Sequence, residues 1–365
     1  MVVGIDFGMT CTAVAYSIAP EWARPLCVQS WPGQHHRSQL ANKVATQVSY
    51  DESDRLTAWG LQCGFEEIAT TIEREFKLYL DPGFRDAFAG LPEHHNAVRW
   101  YKDYMTSLHD HLDAFFSRTV PDWTQRDVEY LFSTPTTWTS PHLNPMLHSW
   151  LVEAGFVNYD NRRLRIAQTE AEAAAVYAAK SSFSAGDVIM VVDAGGATTD
   201  INILEIKEHS WERTQLVALN KAEGINVGST QIDSHAKHLI KQRLRSLNAL
   251  GDDDEIHWLA EDMLKENNFE GMKCAFDGSR TQMSTIMTVP MGTLPPALRN
   301  TPQRITITAH ELRTFFDQQI DTMLNCIFAQ MSELLREKPV TVKYIVLSGG
   351  LGSSKYVRSR LAFQI

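Results

Sequence analysis

The sequence is poor in cysteine and in basic residues, and it has no long hydrophobic run. Its 5 cysteines are scattered without a C-x-x-C pair, so neither a disulfide framework nor a zinc site is indicated. There are 34 Lys and Arg against 44 Asp and Glu, and a net charge of −10 argues against a general polyanion-binding surface. No stretch of about 18 apolar residues is available to cross a membrane. We therefore expect a cytoplasmic protein with no nucleic-acid or membrane partner.

The composition is otherwise ordinary for a globular protein, and two β-hairpins stand out. The chain has 365 residues, 44% of them hydrophobic, which is enough for two or more cores. The β-branched run Met190–Val192 predicts a buried strand, and it is followed by D-A-G-G-A-T-T-D at 193–200 and a second apolar strand. The same design begins the chain, where apolar residues lead into D-F-G-M-T at 6–10. Two such copies predict two domains of one design.

Two later segments carry equally clear signals. Thr308 and Glu311 form a capping-box pattern at the start of the longest predicted helix, which is expected to stop before Lys338 and Pro339. The stretch VKYIVLSGGLGSSKYVRSRL at 342–361 predicts a strand, a glycine turn and a helix. It provides a third glycine turn.

Glycine turns beside aspartates suggest a particular chemistry. Successive backbone N–H groups in such a turn bind anions, and glycine lets the backbone approach closely. An aspartate next to a phosphate is repelled unless a hard divalent cation lies between them, and Mg²⁺ keeps waters that carboxylates hold. The hypothesis is that Asp6 and Asp193 hold a hydrated Mg²⁺ beside a nucleoside polyphosphate. A single D-x-G is an ordinary turn, but three glycine turns in this order are harder to explain that way.

The turns resemble a known superfamily. GIDFGMT (4–10), VVDAGGATTD (191–200) and VLSGGLGSSKYV (346–357) resemble the phosphate-1, phosphate-2 and adenosine motifs of the actin-like ATPases. QTEAEAAAVYA (168–178) resembles their first connecting helix, in the form found in the seventy-kilodalton heat-shock chaperones. The chain is thus similar to the nucleotide-binding domain of those chaperones, especially the divergent fungal-type or twelve-A-like branch. The closing segments and the peptide-binding domain of the family would lie beyond Ile365, so peptide chaperoning by this chain alone is not expected.

The resemblance implies an α/β fold of the two-lobed, ribonuclease H-like, actin-like ATPase type. ATP would lie in a cleft between the lobes, and each lobe would carry an inserted subdomain. The first lobe is predicted at 1–180, with its core at 1–30 and 105–180 and its insertion at 31–104. The second is predicted at 181–365, with its core at 181–219 and 302–350, its insertion at 220–301, and 351–365 starting the return to the first lobe.

The resemblance also assigns site residues, with ATP or ADP, Mg²⁺ and K⁺ as ligands. FKLYL (76–80) resembles the segment that carries the catalytic lysine, and FEGMKCAF (269–276) resembles the purine-contacting helix. The implied catalytic residues are Lys77, Glu170, Asp193 and Thr198, and the implied metal-site residues are Asp6, Asp193 and Asp200. The implied nucleotide-binding residues are Gly8, Met9, Thr10, Gly195, Gly196, Ala197, Glu270, Lys273, Gly349 and Gly350. For Lys77, a solvated lysine on an amphipathic segment is the alternative.

Four positions of the nucleotide-binding motifs depart from the family pattern. Met9 replaces a threonine and Ala197 the third glycine of its turn, while Cys274 and Ser353 replace two arginines that enclose adenine. We therefore expect nucleotide binding weaker than is typical of the family.

Three functions are consistent with the sequence. The first is a weak ATPase, and the second is a nucleotide-dependent interaction module that is catalytically weak or inactive. The third, a small-molecule kinase on the same fold, lacks a segment resembling a substrate loop. The resemblance further implies a monomer, with co-chaperone or exchange-factor-like proteins as partners.

Overall fold

A computed structural model describes residues 1–20, 22, 24–33, 42–65, 70–81, 94–136, 138, 140–179, 183–210, 214–279 and 284–365. Over these residues the chain is a mixed α/β protein with several sheets, which confirms the α/β part of the predicted fold class. Its contacts divide it into two units, Met1–Val176 (unit 1) and Tyr177–Ile365 (unit 2). Each unit has a hydrophobic core of its own.

Unit 1 is built on a sheet whose strand order is β3-β2-β1-β8-β9, with β4 also pairing with β2. A smaller sheet has the order β6-β5-β7. The strands are β1 (Val2–Phe7), β2 (Cys11–Ser17), β3 (Leu26–Cys27), β4 (Lys43–Ala45), β5 (Gln47–Tyr50), β6 (Leu56–Trp59), β7 (Thr71–Arg74), β8 (Val128–Thr134) and β9 (Arg162–Thr169). The helices are α1 (His94–Thr119), α2 (Leu143–Glu153) and α3 (Glu170–Ala179), which continues past the unit boundary.

The central strand of unit 1 pairs with two kinds of neighbour. β1 forms the predicted antiparallel hairpin with β2 and lies parallel to β8, which in turn lies parallel to β9. Alternation along β1 buries Val3, Ile5 and Phe7 against the core. The carboxyl ends of three parallel strands therefore meet at one edge of the sheet, where the first glycine turn and the start of α3 lie.

Helix α1 was not among the elements predicted from the sequence. Apolar side chains recur at helical spacing along it, and Tyr104, Met105, Leu108, Leu112 and Phe116 are fully buried. The helix runs through residue 104, where the sequence interpretation placed the end of the first insertion.

Unit 2 repeats the central arrangement of unit 1. Its main sheet has the order β12-β11-β10-β16, with β13 also pairing with β11, and β14 pairs with β15 separately. The strands are β10 (Val188–Ala194), β11 (Thr199–His209), β12 (Thr214–Ala218), β13 (Glu223–Ile225), β14 (Thr285–Thr288), β15 (Arg304–Ile307) and β16 (Tyr344–Ser348). The helices are α4 (Ser229–Ser246), α5 (Asp253–Glu266), α6 (Phe269–Ala275), α7 (Ala309–Glu337), the single turn α8 (Gly349–Gly352) and α9 (Lys355–Gln364).

The second predicted hairpin and the predicted long helix are confirmed. β10 pairs antiparallel with β11 and parallel with β16, so the third glycine turn follows a strand beside the second turn. Helix α7 begins with the complete capping box of Thr308 and Glu311 and ends before Lys338. Its buried stripe packs in the core of unit 2.

All 5 cysteines are free thiols, as their scattered spacing predicted. Among the described parts of the chain, no helix is both long enough and apolar enough to cross a membrane.

Candidate functional site

The first glycine turn is held by a residue from outside its motif. A Cβ on Gly8 would overlap the carbonyl oxygen of Cys11, so the close approach of the chain here requires glycine. The Thr46 hydroxyl donates to the Gly8 carbonyl at 2.9 Å, and the Thr46 N–H donates to the Thr10 carbonyl at 2.9 Å. Asp6 is exposed near the end of β1, while Met9 is buried. The turn is thus a fixed structure with an exposed carboxylate on the strand before it.

Lys77 and Glu170 form an ion pair in unit 1. The Lys77 Nζ lies 2.5 Å from the Glu170 Oε1, and Lys77 as a whole is only 6% exposed. Phe76, which is completely buried, anchors the segment in the core beside the lysine. Glu170 is the first residue of α3, where the helix dipole favours a carboxylate. The alternative of a solvated Lys77 is therefore wrong.

The second glycine turn packs against the N-terminus of α4. The Gly195 N–H donates to the Thr198 carbonyl at 2.9 Å, which closes the turn. The Gly196 carbonyl accepts from the N–H and the hydroxyl of Thr230, at 2.8 and 2.9 Å. A Cβ on Gly228 would overlap the Gly196 carbonyl oxygen. Residues 228–230 therefore shape the turn as much as its own glycines do.

The contribution of Gly228 and Thr230 was missed in the sequence interpretation. The stretch V-G-S-T at 227–230 does carry a signal, because Gly and Ser before a helical pattern are typical of a helix start. It lies inside the predicted insertion at 220–301, outside the motifs that carry the resemblance. Thr46, which holds the first turn, has no comparable local signal.

Two carboxylates lie opposite one another in unit 2. Asp193 on β10 and Asp200 on β11 are register partners, and directly opposed residues of an antiparallel pair project on the same face. Asp200 is buried at 4% exposure, and Asp193 accepts a hydrogen bond from the Ser348 hydroxyl at 2.8 Å. Like charges so placed repel one another. Their repulsion would be relieved by a cation between or beside them.

The donor chemistry of this pair fits Mg²⁺ bound largely through water. Carboxylate oxygens are the protein ligands that Mg²⁺ takes, usually one or two of them, with waters or phosphate oxygens completing the shell. Across the described ranges there is no group of three or more His, Cys, Asp or Glu side chains able to hold a metal ion. A site at Asp193 and Asp200 would accordingly depend on waters and on a bound anion.

The third glycine turn lies directly on the end of β10. Gly349 has a φ of +80°, and a Cβ there would overlap the Ala194 carbonyl oxygen and approach the Asp193 Oδ1 to 2.8 Å. Parallel pairing aligns Asp193 with Ser348, the residue before the turn. At Gly350, by contrast, a Cβ would meet no atom within 4 Å apart from its chain neighbours and the backbone of its own helical turn. The turn therefore places one glycine against the strand and leaves open space at the other.

Helix α6 is linked to this region through two sets of contacts. The Lys273 Nζ donates to both carboxylate oxygens of Asp233 on α4, at 2.7 and 2.6 Å, and Lys273 is buried. Burial raises the pKa of Asp233 despite the lysine beside it. After α6, the Phe276 ring contacts the Tyr356 ring of α9 at a centroid distance of 5.0 Å. Glu270 is exposed on the same helix.

Contacts within unit 2 form a continuous path around the carboxyl end of β10. The path runs from the second glycine turn to α4, from α4 to α6 through the Asp233–Lys273 pair, from α6 to α9, and back through the third turn to Asp193. The path includes two of the three glycine turns and Asp193, whose register partner is Asp200. In open α/β sheets, ligands bind outside the carboxyl ends of the strands.

Comparison of the chain with protein-family models and with curated proteins finds no match. Its function therefore has to be inferred from the two carboxylate-and-glycine arrangements and their surroundings.

Proposed function

We propose that the chain binds ATP or ADP with Mg²⁺ and hydrolyses ATP weakly, as a nucleotide domain similar to that of the seventy-kilodalton chaperones. One observation carries the proposal. In each unit the first strand of a β-hairpin bears an aspartate near its end and runs into a glycine turn. The same strand, β1 or β10, lies parallel to another strand of its sheet, β8 or β16. Such a repeat supports the two-lobed actin-like ATPase fold. Two unrelated turns would not be expected to share the same strand order, the same register and the same residue types.

The proposed roles follow from the chemistry of each group. Backbone N–H groups of the turns at Gly8, Gly195–Gly196 and Gly349–Gly350 would bind phosphates and the nucleoside. In unit 2, Asp193 and Asp200 would hold the waters of Mg²⁺, which when bound supplies charge neutralisation to the phosphates. For Asp6 in unit 1, a metal-site role is carried over from the resemblance. Phosphoryl transfer to water needs mainly positioning and electrostatic stabilisation.

Lys77, Glu170 and Thr198 are the proposed catalytic neighbours of the phosphates. Thr198 closes the second turn through its carbonyl group, so its side chain is carried by a fixed loop. Lys77 and Glu170 sit where the carboxyl ends of the parallel strands of unit 1 meet. Lys77 would orient the attacking water, and Glu170 would share in the metal and K⁺ shell.

A second candidate is a nucleotide-dependent interaction module without useful hydrolysis. It is favoured by the Lys77–Glu170 ion pair, because a lysine already engaged by a carboxylate is less available to a water or phosphate. On either proposal, partners of the co-chaperone or exchange-factor kind and a monomeric state are carried over from the resemblance.

Calorimetric titration of ATP and ADP into the purified chain, with and without Mg²⁺, tests the proposal. The Asp193→Asn variant should weaken Mg²⁺-dependent binding by roughly 10- to 100-fold, the effect typical of losing a group that orients metal-bound water. The matched control is Asp262→Asn, which alters an exposed aspartate on α5 of the same unit and should change nothing. No heat from either nucleotide, in a chain shown to be folded, contradicts the proposal.

Phosphate release then separates the two candidates. Steady release that is lost in Asp193→Asn supports the ATPase. Tight Mg²⁺-dependent binding without release supports the interaction module.

A further inference from the structure

We infer that Trp138 is a positioning residue for Lys77, holding the lysine ammonium group in place beside Glu170. This inference rests on the proposed function, in which Lys77 orients the attacking water. It concerns a contact that no motif in the sequence indicates.

Two aromatic faces flank the ammonium group. The Lys77 Nζ lies 5.7 Å from the Phe7 ring centroid and 5.8 Å from the Trp138 ring centroid. Both distances are within the range of about 6 Å over which a cation is attracted to a ring face. Trp138 is half-buried and packs against the core of unit 1.

The Lys77 ammonium group is not fully hydrated, because Lys77 is only 6% exposed. The space beside Lys77 is a cavity of about 10 Å³ lined by Lys77, Ser133, Thr134 and Trp138 together with apolar side chains. A cavity of that size has room for about one water molecule. An ammonium group so placed needs compensation from protein groups, since full hydration is not available.

Glu170 and the rings hold the ammonium group in different ways. Glu170 is a carboxylate, so it attracts any cation that comes near it. A ring carries no net charge and attracts the ammonium group through the negative face of its quadrupole. The rings therefore fix the position of the ammonium group beside the carboxylate.

Trp138, and not Phe7, allows a clean experiment. Phe7 is buried in the core, with an edge-to-face contact to Tyr101 at 5.1 Å and a further ring contact to Tyr104 at 6.0 Å. Removing it would disturb folding. Trp138 follows β8 at the surface of the core, so Trp138→Leu keeps an apolar side chain and removes the ring, while Trp138→Phe keeps a ring.

Competitive acetylation of amines across pH 7 to 11 measures the midpoint pH at which the Lys77 amine becomes reactive. The extent of acetylation is read by mass spectrometry of the peptide that contains Lys77, and the experiment requires no nucleotide. Because a ring face stabilises the protonated amine, the midpoint pH of Lys77 acetylation should fall by about one unit in Trp138→Leu. It should stay close to that of the parent in Trp138→Phe. The exposed Lys355 serves as the internal reference and should not move.

A purely structural role gives a different result. If Trp138 only shields Lys77, its loss speeds acetylation at every pH and leaves the midpoint unchanged, and that result overturns the inference. Thermal unfolding of both variants establishes that each is folded.

ATP turnover supplies the second readout. We expect Trp138→Leu to lower kcat at least tenfold with little change in KM, and Trp138→Phe to recover most of it. A kcat unchanged in Trp138→Leu, in an active parent, overturns the positioning role. If the parent itself shows no turnover, the proposed hydrolysis fails, while the acetylation midpoint still decides whether Trp138 holds Lys77.

Discussion

Neighbouring glycines of one turn differ in whether they can be replaced by a residue with a side chain, although both belong to the same sequence motif. Gly349 and Gly350 are neighbours in the same motif. The first has a left-handed φ and lies against the Ala194 carbonyl, whereas the second faces open space. Only the first glycine is therefore required by the fold, and the second has room for a side chain.

Gly349→Ala is expected to destabilise the protein by at least about 2 kcal/mol, because a left-handed residue with a Cβ is strained and this Cβ also overlaps backbone. Gly350→Ala should leave the unfolding midpoint nearly unchanged. Urea unfolding of the two variants measures the difference. Equal destabilisation of both variants would contradict the difference in backbone conformation and packing between Gly349 and Gly350.

At this scale the sequence predicted the local chemistry and missed the distant partners. The aspartates and glycines of the turns are recognisable because strand, carboxylate and turn follow one another within about ten residues. The Lys77–Glu170 pair joins residues 93 positions apart, and Thr46 reaches Gly8 across 38. Such contacts depend on how the strands assemble. The periodicity of one chain segment carries no information about that assembly.

Among secondary-structure elements, those with strong local signals were predicted best. Both hairpins and helix α7 were found from apolar periodicity and, for α7, from its capping box. Strands such as β3 and β13, of two and three residues, are too short to show a period. They form because they pair with the edge of a neighbouring strand, and this pairing is a tertiary contact.

The capping box of α7 offers a test at this scale. Thr308→Ala removes the side chain that accepts from the Glu311 N–H and should cost about 1 kcal/mol of stability. Thr314→Ala makes the same change on the exposed face of the same helix, where the hydroxyl donates only to the His310 carbonyl. We expect that control to be neutral or slightly stabilising, since alanine favours a helix interior.

Thermal melts followed by circular dichroism compare the two alanine variants with the parent. A Thr308→Ala variant as stable as Thr314→Ala would mean that the cap contributes nothing to the folded protein.

Over the whole molecule, the main feature is that each unit buries a hydrophobic core of its own. Leu108 is fully buried in the core of unit 1 and Ile240 in that of unit 2. The tryptophans are unevenly shared, since the chain has 9 and only Trp211 and Trp258 follow residue 176. Tryptophan fluorescence therefore reports mainly on unit 1, whereas circular dichroism reports on the helices and strands of both.

Leu108→Ala and Ile240→Ala each leave a cavity in one core and should cost about 2 to 5 kcal/mol. If each core unfolds as a cooperative body, Leu108→Ala lowers the midpoint of the fluorescence transition by several degrees and leaves a second circular-dichroism transition in place. Ile240→Ala should do the reverse, because its core contributes little to the fluorescence signal. The two variants are thus matched controls for one another. Fluorescence and circular dichroism that coincide, and shift together in both variants, would instead mean that the 365 residues unfold in a single cooperative step.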